Sequence, residues 1–283
     1  MKPRIGIMQG RLVPRINDRI QAFPASNWQE EFPLANQIGL DCIEFIFDAE
    51  DSASIRAHPL LEKDCRLIRT AVERHGVTVQ TVCADYFINH PFHSSDAIEA
   101  ASSLELAIGL LRNCRILGLT DIVIPCVDAG KLATAEDCHQ LVKQLAPVVR
   151  LCEESAVNLA LETDLSPLEF PTLLAEFDSE RVTVNYDVGN SASLGFQPAE
   201  EWAAYGPKVS SVHIKDRLLH GSTVPLGTGS ADFDSFFRAA RDHGYCGLFI
   251  IQGARGSDDV ATARRYKEFV EGKLREFYGV AAG

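Results

Sequence analysis

Eight cysteines are present, yet no two form a Cys-x-x-Cys pair. Cys42, Cys65, Cys83, Cys114, Cys126, Cys138, Cys152 and Cys246 are dispersed through apolar stretches. That spacing excludes a clustered thiolate site and reads as reduced, mostly buried thiols. Long hydrophobic runs are also missing. The apolar segment Ile5 to Met8 behind the basic N-terminus is too brief for a signal-peptide core, and nothing approaches membrane-spanning length. These absences lead us to expect a cytoplasmic protein with no membrane partner. Positive charge is scarce: 27 Lys and Arg stand against 39 Asp and Glu, a net charge of −12. Nucleic-acid affinity needs cations that displace counterions from phosphates, so a small-molecule substrate is the better match. The glycine-rich dinucleotide fingerprint expected after the first strand of an open doubly wound sheet is absent as well.

What the sequence does contain is a regular alternation of short β-rich apolar runs with longer segments of helical period, unbroken by any low-complexity linker. Candidate strands are Ile5–Gln9, Cys42–Phe47, Thr78–Cys83, Asp121–Val127, Asn158–Glu162, Val182–Asp187, Val209–Lys215 and Gly247–Gln252. Helical spacing fills Trp28–Ile38, Leu60–His75, Asp96–Leu117, Ala135–Ser155, Leu168–Phe177, Glu200–Tyr205, Phe233–His243 and Asp259–Phe277. Gly39, Gly76, Gly118 and Gly244 each follow a helical pattern and precede a strand, the place of a left-handed helix cap. Eight β/α units over residues 1–283, about 35 residues each, predict one domain, an α/β fold of the (β/α)₈ TIM-barrel type.

In such a barrel, chemistry gathers where strands end, so the polar residue that closes each apolar run matters most. Four stand out: Glu162, Asp187, His213 and Gln252, on the fifth to eighth strands and separated by 25, 26 and 39 residues. Any one alone reads equally well as a turn or cap residue. Four at corresponding positions around one rim read as a metal site. Two carboxylates, an imidazole and an amide oxygen form an oxygen-rich set suited to one Mn²⁺ or Mg²⁺, with Co²⁺ or Zn²⁺ accommodated by the histidine.

The segments Ala160-Leu-Glu, Tyr186-Asp-Val-Gly-Asn, Val212-His-Ile-Lys-Asp-Arg and Pro225-Leu-Gly-Thr-Gly-Ser-Ala-Asp-Phe carry a resemblance to the xylose-isomerase-like sugar phosphate isomerase/epimerase family. The resemblance implies that Glu162, Asp187 and His213 are metal ligands and that Glu162 exchanges a substrate proton. A second proton-exchanging glutamate is implied at the end of the last strand, where this sequence has Gln252. An amide can offer its carbonyl oxygen to a metal but cannot act as a base near neutral pH. The expected function is therefore a metal-dependent isomerase or epimerase of a small sugar or sugar phosphate, with Glu162 as base. A single base favours aldose–ketose transfer, or dehydration of a polyol or sugar acid. A non-catalytic sugar-binding barrel is a further alternative. Abasic-site endonuclease activity ranks last, because the chain is acidic and offers one clear ligand histidine.

Substrate contacts are expected from Asn190 and Asp216, beyond Asp187 and His213, and from Gln9 and Arg11 after the first strand. Arg217 and Arg255 follow the seventh and eighth strands, and Arg255 is the more pointed of the two as an anion-binding group. Glu44 faces either the barrel interior or the helix layer, and if inside it needs an arginine or a metal-bound water as partner. The Gly227-Thr-Gly229-Ser segment reads as a turn rather than a phosphate loop. Asn89-His-Pro-Phe-His reads as a loop over the mouth, with Phe87 and Phe92 as an apolar wall. The family resemblance also implies that the chain can pair as a homodimer, for which Trp28, Trp202 or an exposed aromatic could serve as the contact.

Overall fold

The structure, a computed structural model, describes residues 3–49 and 51–279. Its barrel strands are β1 (Arg4–Met8), β2 (Cys42–Ile46), β3 (Thr78–Cys83), β4 (Asp121–Cys126), β5 (Asn158–Thr163), β6 (Val182–Asp187), β7 (Val209–Ile214) and β8 (Leu248–Ile251), all parallel and closed into one ring, with a separate antiparallel pair of Asp216–Arg217 and Thr223–Val224 after β7. Every expected strand is present, with no end displaced by more than one residue. Closure is made by the first and last strands: β1 pairs with β2 on one side and with β8 on the other, Ile7 opposite Ile251.

Strand periodicity explains how the sequence divides its side chains. In β5, Leu159 and Leu161 join the outer core beneath the helices, while Ala160 and Glu162 turn inward. The same period sends Val212 and Ile214 outward and Ser211 and His213 inward in β7. In β2, Ile43 and Phe45 go out while Cys42 and Glu44 go in. The outer core between barrel and helices is built around large buried groups such as Phe45, Phe236, Phe249 and Trp202. Met8, Cys42, Val123, Ala160, Leu248 and Ile250 make a small apolar plug inside the ring. Packing there is tight enough to require Gly6, since a Cβ at that position would lie 2.5 Å from Cys42 Sγ.

Helices cover the outside. Ala97–Leu117, Ala135–Ser155 and Asp259–Tyr278 are the longest, and the second starts with a reciprocal capping box between Thr134 and Asp137. Gly39, Gly76, Gly118 and Gly244 all take the left-handed φ, between 69° and 78°. The segment expected as one helix over Leu60–His75 begins instead with two 3₁₀ turns, and its α-helix starts at Arg66 after Asp64 and Cys65 adopt positive φ. Three short helices carry too few turns for a period to register: Ser52–Arg56, Tyr86–Asn89 and Val188–Leu194. No helix among the described residues is long and apolar enough to cross a membrane.

Two expectations about aromatic residues are corrected. Trp28 and Trp202 are buried, Trp202 against Tyr186, Phe236 and Tyr245, so neither offers a surface for dimer contact. Phe87 and Phe92 pack on each other and on the core rather than walling the mouth. Ile88 and Asn89 face the cavity in their place. His90 stacks on Tyr86 and pairs with Glu99, which accounts for its position without a ligand role.

Candidate metal and proton-transfer site

At the carboxyl ends of the strands lies a cavity of about 610 Å³. Glu162 and Gln252 line it, together with Asn190, Asp85, Lys215 and Arg217. Ligand atoms of Glu162, Asp187 and His213 all fall within 4.8 Å of one another. Their convergence follows from register: Asp187 is directly paired with His213 across β6 and β7, and Glu162 ends the neighbouring inward row.

Each member is held by a separate device. Asp187 caps the helix Val188–Leu194, its Oδ1 accepting from Gly189 N at 2.9 Å and Asn190 N at 2.8 Å. Its Oδ2 is left facing His213 Nδ1 at 3.9 Å and Lys215 Nζ at 3.2 Å. Glu162 accepts from Asn185 Nδ2 on Oε2 and from Asn190 Nδ2 on Oε1, both at 2.7 Å. His213 lies between two carboxylates, with Nε2 at 2.7 Å from Glu44 Oε1 and Nδ1 at 3.3 Å from Glu162 Oε2.

Glu44 therefore points into the barrel, and its partner is neither an arginine nor a water: it is His213. Both side chains are fully buried. In the neutral ring, a carboxylate accepting from Nε2–H leaves Nδ1 as the acceptor nitrogen, where Asn185 Nδ2 lies at 3.1 Å beside Glu162 and Asp187. Burial pulls the charged imidazole down, but Glu44 and Glu162 outweigh it and hold the His213 pKa well above the ordinary value. The carboxylates thus favour positive charge here, which the imidazolium itself supplies and which a cation at Nδ1 would take over by displacing that proton.

The donor set fits a divalent metal. Glu162, Asp187 and His213 converge, and Gln252, lining the same cavity, has a buried amide oxygen with no hydrogen-bond partner among the described residues. The free oxygen has a structural cause. Gln252 Nε2 donates to Gln21 Oε1 at 3.0 Å, and Gln21 Nε2 donates in turn to Asp85 Oδ2 at 2.6 Å. This chain fixes the polarity of both amides.

Placement of the remaining expected residues is mixed. Asn190 bridges Glu162 and Arg217, whose Nη1 donates to Asn190 Oδ1 at 2.9 Å. Arg217 lines the cavity, whereas Arg255 does not: it donates to the Gly10 and Val13 carbonyls and to Asp259, so its anion-binding assignment is corrected. Asp216 is corrected too, being fully buried and accepting from the backbone N–H groups of Gly227, Gly229 and Ala231. It organises that turn and faces no substrate. Gln9 is buried with Oε1 on Ile46 N, tying β1 to the end of β2. Arg11 reaches the cavity wall, but its nitrogens are spent on Ile20 O, Gly253 O and Gln21 Oε1. It braces the loop that carries Gln21.

Four participants escaped the sequence reading. Asp85 ends the third apolar run just as Glu162 ends the fifth, so the strand-end argument could have found it. Asn185 is a buried polar residue inside β6, two positions before Asp187. Lys215 immediately follows β7. Gln21 lies in an irregular loop and gave no signal.

A closed parallel α/β barrel with a carboxylate–imidazole cluster at its strand ends defines a TIM-barrel protein with a candidate metal centre. More narrowly, the chain belongs to the xylose isomerase-like TIM-barrel family, whose profile matches residues 32–271. Among curated relatives, L-ribulose-5-phosphate 3-epimerase UlaE of Escherichia coli O1:K1 is 25% identical over 264 residues, covering 90% of this chain and 93% of that protein. A solved structure of L-ribulose 3-epimerase superposes with a TM-score of 0.76 at 18% identity, covering 98% of this chain and 96% of that one. The IOLI protein, solved with a zinc atom, gives 0.75 at 16% identity over 98% and 100% of the two chains. At these identities the structural likenesses establish the fold alone.

Proposed function

We propose that this chain is a divalent-cation-dependent epimerase of a small ketose or ketose phosphate, with Glu162 taking the proton from the carbon beside the carbonyl. It is an enzyme of the sugar isomerase and epimerase type. The observation that carries the proposal is the placement of Glu162: one carboxylate, lining a sugar-sized cavity, lies 3.3 Å from His213 Nδ1 in a cluster where its ligand atoms and those of Asp187 and His213 fall within 4.8 Å of one another.

Glu162, Asp187, His213 and the Gln252 amide oxygen would hold the ion. When bound, it would polarise the substrate carbonyl and so acidify the neighbouring C–H bond. Asn185 and Asn190 each donate to a Glu162 oxygen, which orients the carboxylate and leaves its second lone pairs toward the cavity. Arg217, held by Asn190 and the Gly221 carbonyl, presents a cation on the cavity wall for a phosphate or a hydroxyl. Relatives that act on L-ribulose 5-phosphate and L-ribulose support a ketopentose as first substrate class.

Metal content by elemental analysis, combined with deuterium uptake at C3 of L-ribulose and its 5-phosphate, tests this reading. About one divalent ion per chain, lowered in His213→Ala, and C3 exchange abolished in Glu162→Gln are the expected results. Full exchange by Glu162→Gln, or a wild-type protein that retains no metal after Mn²⁺, Co²⁺ or Zn²⁺ is supplied, refutes it.

A further inference from the structure

Inverting a carbon centre needs a proton removed from one face and another delivered to the opposite face. A carboxylate acting alone returns the proton to the face it came from. The proposed epimerase reading, on which this inference rests, therefore requires a second acid–base group, and the last strand offers only Gln252.

Four other carboxylates line the cavity: Asp48, Asp85, Asp128 and Asp164. Asp48 is paired with Arg19 at 2.7 Å. Asp164 lies two residues beyond Glu162 on the same strand exit and so shares its side of the mouth. Asp128 is exposed in the turn after β4. Asp85 is different. It follows β3, two strands from β5 around the ring, and it is joined to Gln252 by the single Gln21 carboxamide. Its carboxylate thus stands one amide away from the group that closes the last strand.

We propose that Asp85 is the second proton-transfer group of this site, serving the substrate face opposite Glu162. In one direction the Glu162 carboxylate takes the C3 proton, and the C–H electron pair moves into the bond to the carbonyl carbon. The carboxylic acid of Asp85 then delivers its proton to the other face of C3 as the carbonyl reforms. Glu162 ends protonated and Asp85 ionised, and the reverse reaction or exchange with solvent resets both. Gln21 and the Cys83 thiol position the carboxyl group, the first donating to Oδ2 at 2.6 Å and the second to Oδ1 at 3.1 Å.

Burial lifts the Asp85 pKa to about 6, opposed by its bonds to Gln21 and Cys83 and assisted by Asp48 and Glu162. Both protonation states are then accessible near neutral pH, as an exchanging acid requires. Cys83 stays a neutral donor, because burial and the Asp85 charge push its own pKa well up.

The test compares wild type, Asp85→Asn, Glu162→Gln and the double variant Asp85→Asn/Gln252→Glu. Each is loaded with Mn²⁺ and given L-ribulose and L-ribulose 5-phosphate in D₂O, with NMR following C3 deuteration of recovered substrate separately from epimer formation. Asp85→Asn is expected to bind wild-type amounts of metal and to deuterate substrate while forming epimer about 10²-fold more slowly. Gln252→Glu in the same chain is expected to recover part of the epimer rate by supplying a carboxyl group one amide away. Epimer formation by Asp85→Asn within threefold of wild type overturns the proposal and leaves the proposed function standing. An equal loss of deuteration and epimer formation overturns it too, as a structural effect. No deuteration by wild type on either ketose removes the epimerase reading and the proposal together.

Discussion

Replacing Glu44 with glutamine tests the electrostatic logic of the site while preserving side-chain volume. Glu44 and His213 are both fully buried, and their 2.7 Å contact is a charge-assisted hydrogen bond in a region closed to water. A neutral amide can still accept from Nε2–H, but it no longer stabilises positive charge on the imidazole. It can also rotate to donate, which forces the proton onto Nδ1 and blocks the ligand position. Bonds of this kind contribute about 1.5–3 kcal/mol. That corresponds to a loss in metal affinity on the order of 10- to 100-fold, the usual cost of removing a partner behind a metal-bound histidine. Competition against a chelator of known affinity, with Mn²⁺ and Zn²⁺ in turn, gives the dissociation constants of wild type and Glu44→Gln. Chemical unfolding of the metal-free proteins provides the control for stability. Equal affinity within twofold would refute the claim that Glu44 sets the tautomer and charge of His213.

Glu31 gives a prediction about stability. Burial raises its pKa to about 7 against backbone donors from Gly10 and Leu12, so the folded state holds a proton that the unfolded state releases near the ordinary 4.5. Its contribution to stability should be greatest below the unfolded value and fall as pH rises from about 4.5 to about 7, by ~3 kcal/mol in total. Urea titrations of Glu31→Gln should show that fall abolished and the variant more stable than wild type at pH 8; parallel curves would contradict the assignment. Arg217→Met should raise the KM for L-ribulose 5-phosphate roughly tenfold or more and that for L-ribulose less, if the guanidinium reads a phosphate. Equal effects on both sugars would limit Arg217 to holding Asn190. A methyl group in Gly189→Ala would lie 2.7 Å from Lys215 Cγ and 3.0 Å from its carbonyl carbon, displacing the helix start that carries Asp187 and Asn190. Chemical unfolding should register a cost of about 1–3 kcal/mol, with weakened metal binding; a variant matching wild type in both would show that the turn relaxes freely.

The barrel was legible because fully buried parallel strands are short apolar runs, and because helices with a single buried face repeat every turn. Glu162, Asp187 and His213 were legible for a related reason: each is the polar residue that stops such a run, and strand register then carries them to one rim. Direction was not legible. Arg255 and Arg217 each closely follow a barrel strand, yet backbone carbonyls from residues 10 and 13 draw Arg255 away while Asn190 and Gly221 hold Arg217 at the cavity. Asp216 looked like a rim group until the turn at Gly227 and Gly229 folded back over it. Glu44 could not be assigned a partner because the partner is 169 residues away. Gln21, which links Asp85 to Gln252, belongs to a stretch with no period at all.

That separation has a consequence for how the protein matures. During synthesis the inward groups of β5, β6 and β7 emerge on consecutive strands and can meet as soon as those strands pair. Glu44 emerges much earlier on β2 and meets His213 only when β8 arrives and joins β7 to β1. A nascent chain can therefore bring Glu162, Asp187 and His213 together before Glu44, though made first, can reach the imidazole. If the proposed cation binds, its tight binding would be postponed until the ring is complete, and from then on it would favour the closed barrel over any opened form by mass action.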